Sequence, residues 1–202
     1  MKDHLLGRIS ERPEDSFTDK DRRQLLLHNN RIFCHKTLQI NFTTYDGCRD
    51  QDTINIRTHS DIIVLANQDE DPENEHPYWY ARVIGIFHAM VLHVGSGTTY
   101  EQIDFLWVRW YGFDMKSRSG FKARRLHQVG FLNSNDDTGA FGFINPLDVI
   151  RAVHLIPAFH FGKSSLLLST SIARRKDEGD EDYERYYVNM YVFCFIIHSR
   201  VG

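Results

Sequence analysis

The sequence predicts a mainly β protein: a small, strongly bent antiparallel barrel with few short helices and flexible termini. Three observations carry this reading. Aromatic residues make up 13% of the chain, and flat rings suit the half-buried surface of a sheet. The stretch TLQINFTTY at 37–45 sets Leu38, Ile40 and Phe42 against Gln39, Asn41 and Thr43, the period of two that marks a strand with one buried face. Two long apolar runs, from Tyr78 to about His93 and IDFLWVRWYGF at 103–113, flank GSGTTYEQ and read as a hairpin. Its first arm exceeds the usual strand length and so has to bend, and Gly85 is the residue that permits a bulge. Long, bent antiparallel strands of this kind close small barrels.

The remaining elements follow in chain order. Residues 1–30 are mostly polar, with one leucine cluster at Leu25–Leu27, and read as a flexible leader ending in a short helix or turn. DGCRDQDTINIRTHS at 46–60 reads as a polar loop, and DIIVLAN at 61–67 as a short buried strand. The acidic QDEDPENEHP at 68–77 is an exposed loop. DMKSRSGFKARR at 114–125 is a basic loop, and LHQVGFL and DVIRAVHLIPAF are two more strands separated by the polar NSNDDTGAFGFINP. The expected organisation is a leader at 1–30, a β-rich domain at 31–162, a charged linker at 163–185 and an apolar tail at 186–202. The apolar part of that tail falls well short of the ~20 residues a spanning helix needs, so no membrane partner is expected.

Composition narrows the function. A formal net charge of −3 argues against the globally basic surface of a non-specific DNA coat, while leaving room for local basic patches. Cys34, Cys48 and Cys194 are odd in number and lack CxxC spacing, as expected of reduced thiols inside a cell. MKDHLLGRISERPEDSFTDKD lacks the apolar core of a signal peptide. There is no G-x-S-x-G elbow, no H-E-x-x-H pair and no phosphate loop of G-x-x-x-x-G-K-[ST] spacing, so no catalytic residue and no cofactor are expected. Adjacent Cys34 and His35 would point to opposite faces of a strand, and no second pair completes a zinc set. Asp46, Asp50, Asp52 and Asp61 lie close in sequence and admit a metal-dependent nuclease fragment as the weakest alternative, against a plain solvated acidic cluster.

Two candidate binding sites remain. Trp79, Trp110, Tyr111 and Phe113 could form an aromatic cage at a barrel rim for a methylated ammonium, with an acid supplied by loop 69–75. The plainer reading makes these rings core. Lys116, Arg118, Lys122, Arg124 and Arg125, interleaved with Phe121, could contact phosphates in a salt-dependent way, or form a solvated loop.

The succession HSDIIVLAN, PYWYARVIGIFH, IDFLWVRWYGF and PLDVIRAVHLI resembles the bromo-adjacent homology (BAH) domain over roughly residues 58–157. The resemblance implies a BAH- or SH3-like barrel and a role in recognising histone tails or other proteins in chromatin, with Trp110 and Tyr111 best aligned to the family's strand. After Gly112 the family's usual continuation is replaced by GFDMKSRSGFKARR. LQINFTTYDGCRDQDTINIRTHSDIIVL and HPYWYARVIGIFH are similar, more closely, to a domain of mushroom-forming fungi found in proteins associated with Plavaka and KDZ transposons. That likeness implies a fungal, nuclear, transposon-derived accessory domain separated from its transposase chemistry, with YYVNMYVFCFIIHSRVG as an altered end. The expected function is a non-catalytic binding module for chromatin, a histone tail or nucleic acid. The alternative is a scaffold domain of a transposase-like protein with no external ligand.

Overall fold

The computed structural model describes residues 1–44, 46–66, 77–95, 98–113, 119, 123, 125–134, 139–174 and 179–189. Helix α1 (Lys2–Ser10) buries Leu5 and Leu6 and stops where Glu11 turns left-handed, at φ 53°. Helix α2 (Asp19–Gln24) starts in a reciprocal cap: the Asp21 N–H donates to the Thr18 hydroxyl, and the Thr18 N–H donates to the Asp21 carboxylate at 2.8 Å. Arg22 joins the two helices by donating to Asp3 at 2.7 Å. Strand β1 (Leu25–Leu27) follows directly. The first thirty residues, expected as a flexible leader, are therefore built into the body: Leu5, Leu6, Phe17 and Leu25 pack with Ala89, Val91, Ile103 and Phe105. Helices this short depend on such packing for their stability.

Strand β2 (Phe33–His35) is exposed, and β3 (Thr37–Thr43) alternates as its sequence predicts. Its partner β4 (Arg49–Asn55) occupies what reads as a polar loop, pairing Leu38 with Ile54 and Ile40 with Asp52. β4 is hidden in the sequence because Ile54 is its one buried residue. Strand β5 (Asp61–Leu65) then leads to the central pair, β6 (Tyr78–His93) and β7 (Glu101–Phe113).

β6 and β7 pair antiparallel from Tyr80–Tyr111 to Val91–Glu101. Val83 faces Val108 and Gly85 faces Trp107, so Ile84 is an extra residue and the bulge falls at the glycine. A β-carbon on Gly85 would lie 2.3 Å from the Phe87 ring. The extra residue reverses the alternation of β6. Ala81 and Val83 before it and Ile86 after it join one core with Leu106 and Val108, a core covered by Leu38, Ile40 and Ile54 of the β3–β4 hairpin.

The other strands attach to this pair. β5, β2 and β1 lie successively along one edge of β6. β8 (Gln128–Phe131) and β9 (Phe141–Ile144) lie along the far edge of β7. β9 falls within the stretch read as a polar connection, its four residues preceded by Gly139–Ala140 and followed by Asn145. β10 (Val149–Ala152) pairs β5, and β11 (Leu155–Pro157) closes the opposite side. Two short strands, β12 (Lys163–Ser164) and β13 (Asp182–Tyr183), pair with each other, and β14 (Tyr186–Val188) inserts between β8 and β11. The main sheet runs β10-β5-β6-β7-β8-β14-β11 and curls into an antiparallel half-barrel. The described parts of the expected charged linker, 163–174 and 179–185, thus pack on the body, and the expected tail begins as a sheet strand. Residues 190–202 of that tail lie outside the described residues.

Arg174 and Asp182 of this segment are held by charge. Asp182 accepts from Arg109 at 3.0 Å and from both terminal nitrogens of Arg174 at 3.2 Å, with all three side chains at 5% exposure or less. The Arg109 guanidinium lies 3.8 Å from the centre of the Phe131 ring. Removing one member of a buried ion group strands the others without solvent. Asp182→Ala is therefore expected to destabilise the protein by about 3–5 kcal/mol in urea denaturation, with Asp182→Asn, which keeps an acceptor oxygen, losing less. Equal midpoints for Asp182→Ala and the wild type would contradict this.

Candidate functional site

One wall of the fold is open. A groove of about 1060 Å³ runs between the α1 region (His4, Arg8, Arg12, Glu14), the end of β5 and the segment from Phe143 to Arg151, with Trp79 and Trp110 in its lining. These two rings are diagonal neighbours across the β6–β7 pair and meet edge to face, 5.8 Å between centres and 77° between planes. Both are half-buried. Gly142 makes room for one of them, since a β-carbon there would lie 2.6 Å from Nε1 of Trp110.

The groove carries charge of both signs. Arg8 donates to the backbone oxygen of Asp104 at 3.1 Å, Arg12 lies over Phe17 at 4.6 Å, and His4 Nδ1 meets Glu14 at 2.8 Å. Asp148 is exposed. Sequence reasoning overlooked Arg8, Arg12 and Glu14 because they were assigned to a loose leader; the buried Leu5–Leu6 pair was the signal that this leader docks.

The four-ring cage does not assemble. Trp110 and Tyr111 are consecutive on β7 and so point to opposite faces. Tyr111 is 5% exposed, stacks on Phe131 at 4.3 Å and meets Tyr186 edge-on. Phe113 packs on the same inner cluster, edge-on to Tyr80 and to His127. Trp79 and Trp110 are thus brought together in the groove, and Tyr111 and Phe113 are core.

That core nonetheless surrounds a cation, one of the protein's own. Arg82 sits 4.9 Å from the centre of the Phe131 ring, 5.8 Å from Tyr186 and 5.9 Å from Tyr111. Its Nε and the Tyr111 hydroxyl both donate to Asp61 Oδ1 at 2.9 Å. Burial opposes the charge on Arg82, but Tyr111 and Asp61 outweigh it and hold the guanidinium firmly protonated.

The four carboxylates of the nuclease reading are dispersed among separate partners. Asp52 takes Arg151 through two oxygens at 3.0 and 3.3 Å, Asp61 takes Arg82, Asp46 accepts from Thr44, and Asp50 accepts from the Gln51 N–H. Among the described residues no group of three or more His, Cys, Asp or Glu side chains is placed to hold a metal ion. In the basic loop Arg125 is described, and it is exposed. Lys116, Arg118, Phe121, Lys122 and Arg124 lie outside the described residues, as does loop 69–75.

Compared with protein-family models, with curated proteins and with solved structures, the chain matches none. Among the described residues no helix is long and apolar enough to cross a membrane.

Burial raises the pKa of Tyr80 and of Tyr111 well above the usual phenol value of 10.0. The folded state thus keeps both phenols neutral at a pH where the unfolded chain ionises them. Their contribution to stability is complete below about pH 10 and is lost as pH rises beyond it. In an alkaline titration followed at 295 nm, at least two of the nine tyrosines are expected to ionise only with unfolding, and Tyr111→Phe should remove one of them. A single transition of all tyrosines near the ordinary phenol value, with the protein still folded, would refute this.

Proposed function

We propose that this protein is a non-catalytic binding module whose groove takes a basic polypeptide tail of the histone kind, with a methylated ammonium seated against Trp79 and Trp110. One observation carries the reading. Arginines stand over Phe17, Phe42 and Phe131, but among the described residues no lysine or arginine stands over either tryptophan, although the two rings meet edge to face in the lining of the groove. An indole is the best cation–π partner among the side chains, and Glu14 and Asp148 in the same groove supply the acid that such a cage wants. A chromatin setting, nuclear location and origin as a fungal transposon accessory rest on the sequence resemblances alone.

A second reading has its own support. Phe159 is 69%, Leu166 77% and Ile172 89% exposed, all on the segment that joins β11 to β13. Apolar side chains concentrated in this way suit a scaffold domain that contacts another part of its parent protein.

The test is binding of the full chain to an array of modified and unmodified histone peptides, with a short DNA duplex titrated at two salt concentrations in parallel. Methyl-dependent peptide binding that falls by at least about tenfold in a still-folded Trp110→Ala supports the module. DNA binding that weakens steeply with salt and survives Trp110→Ala overturns the peptide in favour of phosphate contacts by Arg8, Arg12 or the basic loop. No binding in either assay rejects the module and leaves the scaffold.

A further inference from the structure

The strand pairing brings together two histidines that stand 53 residues apart in sequence. Phe33 and His35 lie on one face of β2, and His88, across from Phe33 on β6, lies on the same face. His35 Nε2 and His88 Nδ1 are 2.6 Å apart, and their ring centres are separated by 4.8 Å. The Phe33 ring stacks on His88 at 4.7 Å and 11°, which restricts the orientation of that imidazole. His35 is exposed and His88 half-buried, so water and ions reach the pair.

Two ring nitrogens this close cannot both carry protons without repulsion, and as neutral imidazoles they share a single hydrogen bond. The alternative partner for two converging imidazole lone pairs is a transition-metal ion, bound at ~2.0–2.1 Å from each nitrogen. A right-angled bite at those lengths needs the nitrogens about 3 Å apart, which a small rotation of the exposed His35 provides. Asp104, opposite His88 on β7, is exposed and accepts from the Gln102 amide at 3.0 Å, so the remaining positions around the ion fall to water. Cys34 follows the alternation of β2 to its other face and takes no part.

We propose that His35 and His88 form a two-histidine surface site for a divalent transition-metal ion of the nickel, copper or zinc class, with water completing the coordination. Imidazole pairs suit these ions, and the order of affinities follows copper over nickel and zinc. The site is independent of the groove and of the peptide reading. It lies where β2 attaches to β6, so a bound ion clips that edge strand to the sheet and stabilises the folded state by mass action.

The experiment is titration of the tag-free full chain with NiCl2 and with CuCl2, read by calorimetry and by the thermal midpoint, on the wild type, His35→Ala, His88→Ala and the control His28→Ala. The expected result is one site in the wild type, weakened at least about tenfold in each of the two variants and unchanged in the control. Copper electron paramagnetic resonance should show two equivalent-strength nitrogen couplings in the wild type and one in each variant. Midpoints taken without metal establish that the variants fold. Equal affinity in wild type, His35→Ala and His88→Ala, or no saturable site in the wild type, overturns the proposal.

Discussion

The fold depends on the β6–β7 pairing and on the single extra residue within it. β5, β2 and β1 are carried in turn by one edge of β6, and β8 and β9 by the far edge of β7. An unbroken alternation along β6 would place Ile86 away from Ala81 and Val83. The bulge beside Gly85 returns it to their side, so one face keeps a continuous core under the β3–β4 hairpin. The opposite face is divided into two clusters, one built around Tyr80, Tyr111 and Phe131 and the other around Phe105, Ala89 and the N-terminal leucines. A bend of this kind lets a pair of strands longer than usual curl toward closure without losing its ladder.

Three ion groups then fix how the outer pieces dock. Arg82 with Asp61, Arg109 with Asp182 and Arg151 with Asp52 each combine a carboxylate with an aromatic ring beneath the guanidinium: Phe131 for the first two and Phe42 for the third. Burial of apolar area is non-directional and would tolerate small shifts of a hairpin or a loop. A two-oxygen contact between Arg151 and Asp52, with the Ala152 N–H donating to the same carboxylate at 3.1 Å, tolerates much less. Net stabilisation by such buried pairs is small once desolvation is counted. Their effect lies in position: the β3–β4 hairpin is set on β10, and β13 on β7.

How much of this was legible follows from side-chain patterning. β3, β5 and the long hairpin were readable because alternation or β-branched density persists over five or more residues, and Gly85 marked its own bulge. β4 and β9 were not, since one carries a single buried isoleucine among polar residues and the other is four residues long between turn formers. The N-terminal helices escaped because their apolar side chains are divided among three short elements, each below the length at which periodicity shows. At the site, alternation along β6 already set Trp79 on the face of Ala81 and Val83. Tyr111 and Phe113 were grouped with Trp110 because of nearness in sequence, although alternation already separated Trp110 from both. The cation that Tyr111 does help to surround, Arg82, lies 29 positions upstream on the neighbouring strand, and only the register discloses it.

The two aromatic environments of this protein differ in one respect that bears on binding. Around Arg82 the rings, the carboxylate and the cation are all internal, so the site is complete and closed to solvent competition; nothing from outside can enter without displacing a buried charge, at a cost of several kcal/mol. Around Trp79 and Trp110 the space is open, Glu14 and Asp148 share the groove lining with Arg8, Arg12 and Arg151, and among the described residues no lysine or arginine stands over either ring. A fold that sets three of its phenylalanines beneath its own arginines, with no lysine or arginine over either tryptophan among the described residues, has the asymmetry on which the proposed reading of the groove rests.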